Sequence, residues 1–152
     1  MKMNSFEGPP ISAAVNYAKT LHSDLLKEFD DSTRNTISKI ISDGIQNKTG
    51  LPGISRNIRK EFPAISKVLS DKVALTETSW SLSHASLDRM RAMGTKGKQW
   101  FLHGTETCEM CRANHNVGVI PTEQYFPSGH LVPPAHDGCT CAIAPALLKT
   151  LE

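Results

Sequence analysis

The chain has 152 residues, 39% of them hydrophobic and 21% charged, with a formal net charge of +2, a mean hydropathy of −0.29 and a pI near 8.4. That length suits one domain of roughly 100–200 residues, and recurring apolar residues with little net charge exclude a wholly disordered chain. No apolar run approaches the roughly 20 residues of a membrane helix, and the first ten residues lack the apolar stretch of a secretory leader, so the expectation is a reducing compartment and no membrane partner.

Residues 1–11 read as a flexible N-terminus, because Pro9-Pro10 cannot extend a helix backwards. From Ser12 to Asp30, Val15, Ala18, Leu21, Leu25, Leu26 and Phe29 recur at spacings of three and four, which predicts a helix capped by Ser12. Asp30 or Asp31 caps a second helix with the stripe Ile37, Ile40, Ile41 and Ile45. Asn47 to Gly53 reads as a turn, and Ser55 as the cap of a short helix ending at Phe62. A long helix is expected over Ala64–Met93, closed by Gly94 and Gly97. The helical part therefore spans 12–94.

Beyond residue 95 the texture changes. Lys98 to Leu102 suits a strand, Gly118–Ile120 and Tyr125-Phe126 suit short strands or a tight loop, and Cys141–Ala144 suits a closing strand. Residues 95–152 hold too few apolar side chains for an independent core, and a small loop-rich unit of that kind needs a staple. The fold class expected is α+β: N-terminal helices, one of them long, packed on a small C-terminal zinc-knuckle β-subdomain, the two parts forming one integrated domain.

The charge is unevenly spread. Residues 56–98 carry nine basic and four acidic groups, and residues 99–152 carry two basic and five acidic ones. The basic segment reads either as a solvated helix face or as a contact for nucleic acid or an acidic partner.

All four cysteines fall in the last 45 residues. Cys108 and Cys111 form a C-x2-C pair, and His136, Cys139 and Cys141 form an H-x2-C-x-C run, with 24 residues between Cys111 and His136. Zinc takes four sulfur or imidazole donors tetrahedrally, and a C-x2-C turn sets two thiolates about a tetrahedral edge apart. Five candidates compete for four places; Cys108, Cys111, His136 and Cys139 give the most regular pairing. Four protein ligands close the coordination sphere, which makes such a zinc structural. Reduced buried thiols without metal, or a disulfide such as Cys108–Cys139, are the other readings. His103, His115 and His130 read as ligands, bases or surface residues, and His22 and His84 as boundary or surface residues.

Phosphate-loop, dinucleotide, metalloprotease, hydrolase-elbow and deaminase signatures are absent from the sequence. One enzymatic alternative stands: a zinc-stapled, His-dependent nuclease, because Cys111-Arg112-Ala113-Asn114-His115-Asn116 resembles a segment of such nucleases. A stand-alone zinc-stabilised DNA-binding module is another alternative.

Five segments, in order and at these spacings, resemble the phage Mu F-like head morphogenesis family of minor head proteins. Asp31 to Phe62 is similar to its helix, turn and short helix ending in Phe. Ala74-Leu75-Thr76-Glu77-Thr78 is similar to its Ala-x-Thr-Glu-Thr motif, and Lys98-Gln99-Trp100 to its Lys-x-Trp strand start. Cys108-x-x-Cys111 and Pro133-Pro134-x-His136-x-x-Cys139-x-Cys141 complete the series. The resemblance implies a portal-associated structural protein without catalytic activity, acting in head assembly and DNA packaging or ejection. It implies phage portal and head proteins as partners, with non-specific DNA contact as a further option. It places the chain in the virion head or the cytoplasm of a bacterial host.

Thr76, Glu77 and Trp100 are the candidate docking residues between the two parts. Glu77 is expected to face the β-subdomain and accept hydrogen bonds from its loop N–H groups, since a buried carboxylate needs such partners; an exposed Glu paired with a Lys is the alternative.

Overall fold

A computed structural model describes residues 10–103 and 108–148. The expected flexible N-terminus lies outside the described residues up to residue 9; at its end, Ile11 opens a helix. The fold is α+β, with five α-helices and a three-stranded antiparallel sheet among the described residues.

Helix α1 covers Ile11–Tyr17 and follows Pro10, which occupies the cap position without a side-chain bond. The single helix expected over 12–30 does not form. The chain leaves α1 at Ala18 and re-enters regular structure only in a 3₁₀ turn, Asp24–Leu26. The backbone N–H groups of His22 and Ser23 are spent on the Glu77 carboxylate, so they are not available for the helical ladder. Leu21 and Leu26 still reach the core, which is why the apolar spacing persists where the helix does not.

Helix α2, Asp31–Gln46, starts where expected: Asp30 Oδ1 accepts the Thr33 N–H at 2.7 Å and satisfies one of the orphan donors of the first turn. Its stripe of Ile37, Ile41 and Ile45 is buried. Helix α3, Leu51–Glu61, starts earlier than expected, after Gly50, with Pro52 in its first turn. Proline is tolerated there because the first-turn N–H groups have no intrahelical partner. Ser55 is therefore an interior residue; its hydroxyl lies in a cluster with Ser70, Asp71 and Arg59 that ties α3 to the next helix. At the α2–α3 crossing, a Cβ on Gly44 would stand 2.3 Å from Ile54 Cγ1, so only glycine permits this approach.

Helix α4, Lys67–Ala92, is 26 residues long, about 39 Å at 1.5 Å per residue. Ser66 caps it by accepting the Leu69 N–H, which sets the start three residues after Ala64. Gly94, at φ +72°, supplies the left-handed residue that ends it. The helix runs through two apolar cores. Val73, Ala74 and Ala85 join a core built by α1, α2 and α3. Leu87 and Met90 join a second core with Trp100, Ile120, Phe126 and Ile143.

The sheet has the order β2-β1-β3, with β1 Gly97–Phe101, β2 Ile120–Pro121 and β3 Ala142–Ala146. The register pairs Trp100 with Ile143 and Lys98 with Ile120. Of the expected short strands, Gly118–Ile120 survives only as Ile120–Pro121, and Tyr125-Phe126 is a loop. Its Phe126 is buried edge-on against Trp100 at 5.0 Å, while Tyr125 is exposed. Helix α5, Glu109–Asn116, was not expected. Among the described residues, no helix is long and apolar enough to cross a membrane.

Candidate metal centre

Cys108 occupies the cap position of α5 and Cys111 the third position inside it. Cap and third helical residue face each other across the first turn, the geometry that also brings a capping box together, so the C-x2-C spacing points both sulfurs to one side. The second group comes from the loop between β2 and β3. Within it the Cys139 N–H donates to the His136 carbonyl at 3.1 Å, a tight turn that brings His136 and Cys139 to the same centre. Cys141 stands immediately before β3.

The structure brings all five expected donors together in two overlapping triads. Cys108, Cys111 and His136 form one and Cys111, Cys139 and Cys141 the other, the donor atoms of each lying within 4.8 Å of one another. The cluster can hold a metal ion. Cys111 Sγ and Cys139 Sγ are 3.8 Å apart, which matches the edge of a tetrahedron with metal–sulfur bonds of about 2.3 Å. No disulfide joins the cysteines, so the expected alternative of a Cys108–Cys139 bridge is not what the structure contains.

Cys111, Cys139 and Cys141 are buried in the second core. Burial, reinforced by the neighbouring thiols of Cys139 and Cys141, pushes the Cys111 thiol far up. Burial also raises Cys141, against which the Trp100 indole N–H works by favouring the thiolate. That indole nitrogen is buried and has no hydrogen-bond partner. His136 Nδ1 lies 2.9 Å from the Asp137 carbonyl, an arrangement in which Nδ1 carries the proton, leaving the Nε2 lone pair as the open donor. Nε2 is buried and has no partner. A buried nitrogen of that kind costs free energy unless something binds it, and a metal is the partner its sulfur neighbours suit. An outer group that orients a candidate ligand, here the Asp137 carbonyl beside His136, is the usual company of a metal site.

The docking residues divide their work differently from expectation. Glu77 is 1% exposed, but its carboxylate accepts N–H groups from the N-terminal segment, His22 at 3.0 and 3.1 Å and Ser23 at 2.6 Å, and not from the C-terminal loops. Desolvation raises its pKa against those bonds. Thr76 makes the contact assigned to its neighbour: its hydroxyl accepts the Gly138 N–H at 2.8 Å. Ser23 adds a second link by donating to Asp137 Oδ1 at 2.9 Å. The loop carrying His136 is thus fastened to α4 and to the N-terminal segment on either side of it. Trp100, in β1, shares the second core with Cys111, Cys139 and Cys141.

The histidines resolve individually. His115 Nδ1 is 2.9 Å from the Trp100 carbonyl. His130 Nδ1 is 2.8 Å from the Ser128 hydroxyl, which also accepts from the buried Asn114 amide at 2.8 Å. His22 stacks on Trp80 with centroids 3.4 Å apart, and His84 packs on the same indole at 3.9 Å. His103 is exposed. Sequence reasoning missed Ser23, Asn114, Ser128 and the fully buried Lys98, whose ammonium donates to the Leu131 carbonyl at 2.7 Å. Nothing in the local sequence signals the pairings of Ser23 with Asp137, Asn114 with Ser128 or Lys98 with Leu131.

Compared with known proteins, the chain matches no family model, no curated protein and no solved structure.

Proposed function

We propose that the protein is a minor structural component of a tailed-phage or prophage head, associated with the portal, and that a structural zinc ion secures its C-terminal half. One observation carries the reading. The segments on which the family resemblance rests are far apart in sequence, yet they surround one cluster. Thr76 holds Gly138, Trp100 shares the second core with Cys111, Cys139 and Cys141, and Cys111 lies beside Cys139. A shared motif order is explained if these segments together build one centre.

Zinc suits the donors because it is borderline-soft and takes sulfur and imidazole tetrahedrally without redox chemistry. Bound there it would supply cross-linking and not catalysis, since four protein donors leave no open position. Cys108 and Cys111 would hold it from the start of α5, and two of His136, Cys139 and Cys141 from the loop before β3. Binding would displace the protons of the ligating thiols. Docking to portal and head proteins, with DNA contact through the basic 56–98 segment, is the activity proposed.

The test is co-expression with the portal and major head proteins encoded beside it, followed by purification at moderate salt. Co-purification with portal or assembled heads supports the reading. A folded, zinc-loaded protein that never co-purifies refutes it. Plasmid nicking in Mg²⁺ that is lost in His115→Ala or His130→Ala would favour the nuclease. DNA affinity that falls steeply with salt, without capsid binding, would favour the DNA module.

A further inference from the structure

Most of the basic groups of the 56–98 segment are not free to meet a phosphate. Lys98 is fully buried on the Leu131 carbonyl. Arg91 is engaged by Glu123 and Asp88, and Lys67 and Arg59 by Asp71. Arg89 is half-buried. Arg56, Lys60, Lys72 and Lys96 are exposed and make no ion pair among the described residues. Of these four, Arg56 and Lys60 stand one turn apart on α3. We propose that α2 and α3 form a helix-turn-helix unit whose second helix lies in the major groove of duplex DNA, with Arg56, Lys60 and Lys48 on the phosphates. This rests on the DNA contact of the reading above and is independent of the portal.

Residues 47–50 join α2 to α3. Two left-handed residues shape that turn, Lys48 at φ +54° and Gly50 at φ +82°. The helices meet close beside it, where a Cβ on Gly44 would stand 2.3 Å from Ile54 Cγ1. Two packed helices joined by a short turn containing glycine are the arrangement that presents the second helix to a DNA groove.

The faces of α3 are sorted to match. Ile54, Ser55 and Ile58 are buried. At 3.6 residues per turn, Arg56 and Lys60 lie about 40° apart, and Ile58 lies about 180° from their midpoint. The two cations therefore occupy the centre of the outward face, flanked by exposed Pro52 and Asn57. The first carboxylate on α3 is Glu61, its last residue. Asp43, on the last turn of α2, is neutralised by Lys39 at 2.7 Å. Lys48 is exposed in the turn and adds a third cation. The 11 residues of α3 make a rod about 16 Å long, and the major groove, about 12 Å wide, admits a helix. Contacts to phosphate fix orientation and carry no sequence information, so the binding is non-specific.

The test uses the purified whole chain and a fluorescently labelled duplex of about 20 base pairs, with anisotropy read from about 50 to about 200 mM salt. Three phosphate contacts predict that log Kd rises with log salt at a slope of about 2.7. Arg56→Ala, Lys60→Ala and Lys48→Asn should each lower the slope by about 0.9 and weaken binding about tenfold at about 50 mM salt. Asparagine tolerates the left-handed turn position. Lys72→Ala and Lys96→Ala, which remove equally exposed cations outside α3, should change neither quantity. Circular dichroism and thermal unfolding verify the fold of each variant. Losses at Lys72 or Lys96 with the α3 variants unchanged overturn the helix-turn-helix and leave the DNA contact standing. Tighter binding to a single strand of the same length overturns the groove as well. A wild type with no duplex affinity at about 50 mM salt overturns both the unit and the DNA contact. Salt slopes that fall as expected in a protein that never co-purifies with portal or heads support the unit and refute the head reading alone.

Discussion

Glu77→Ala tests the junction between α4 and the N-terminal segment. The carboxylate is the acceptor for two backbone donors, His22 and Ser23, the second of them fully interior. A hydrogen bond to a charged group contributes about 1.5–3 kcal/mol, and a buried donor left alone costs about 1–3 kcal/mol. Removing the carboxylate also removes the desolvation it suffers, visible as a pKa held above the ordinary range, and this offsets part of the loss. The expected net destabilisation is about 2–4 kcal/mol. Glu77→Gln should cost only about 1 kcal/mol, because Oε1 takes both donors and an amide oxygen in its place keeps them without the charge. The pH dependence has a definite sign. The folded state takes up the Glu77 proton before the unfolded chain does, so the penalty of burying the charge is relieved as pH falls through the folded pKa. Urea unfolding of the variants at pH 7, with linear extrapolation, measures the differences. An alanine variant within about 0.5 kcal/mol of wild type, the range of unremarkable surface changes, would refute the buried-acceptor argument; so would equal losses for Ala and Gln.

Stripping metal with a chelator, or Cys111→Ala, should lower the melting temperature by more than about 10 °C, since ligand at 1,000 times its Kd adds about 4 kcal/mol; calorimetry with and without added zinc checks it. Burial, then the neighbouring His22, pushes His84 down to about 4, so its contribution is present above pH 6.5 and lost as pH falls from there toward 4. The gap of about 2.5 units bounds the loss at about 3.4 kcal/mol, and partial exposure reduces it to about 1–2 kcal/mol. Comparing His84→Phe with wild type at pH 7 and pH 5 in urea should show the flatter profile in the variant. Gly44→Ala should destabilise by about 1–2 kcal/mol despite alanine's better helix propensity, because its Cβ would meet Ile54 Cγ1 at 2.3 Å; urea titration decides. Asn114→Ala, losing both bonds to Ser128, should cost about 2–3 kcal/mol in the same assay.

What was legible in the sequence is what local chemistry decides. Asp30 begins α2 because its carboxylate caps its own first turn, and Ile37, Ile41 and Ile45 declare the buried face before any partner is known. The cysteine and histidine spacings revealed the donors for a similar reason: each group is held by a local turn. The break after Tyr17 was hidden because Leu21 and Leu26 are buried in an irregular segment at positions a helix would also have buried. The decision belonged to Glu77, more than 50 residues away. Helix α5 was hidden because its polar sequence buries only Cys111 and Asn114, too few positions to mark a period. Glu77 was rightly expected to be a buried acceptor, but its donors depended on which segment α4 meets on that side.

The passage of α4 through both cores has a thermodynamic consequence. A helix gains little until several turns exist, because its nucleus is costly and each added residue then repays one bond. The turns bearing Leu87 and Met90, which wall the second core, are continuous with those bearing Val73 and Ala74 in the first. Neither core can lose its share of α4 without fraying the other's. The two therefore melt as one unit, and a lesion at the cysteines registers as instability among the N-terminal helices. The chain carries its own optical reporters for this: two tryptophans, Trp80 stacked with His22 beside the N-terminal segment and Trp100 inside the second core. Coincident transitions at both are the signature of a single cooperative fold.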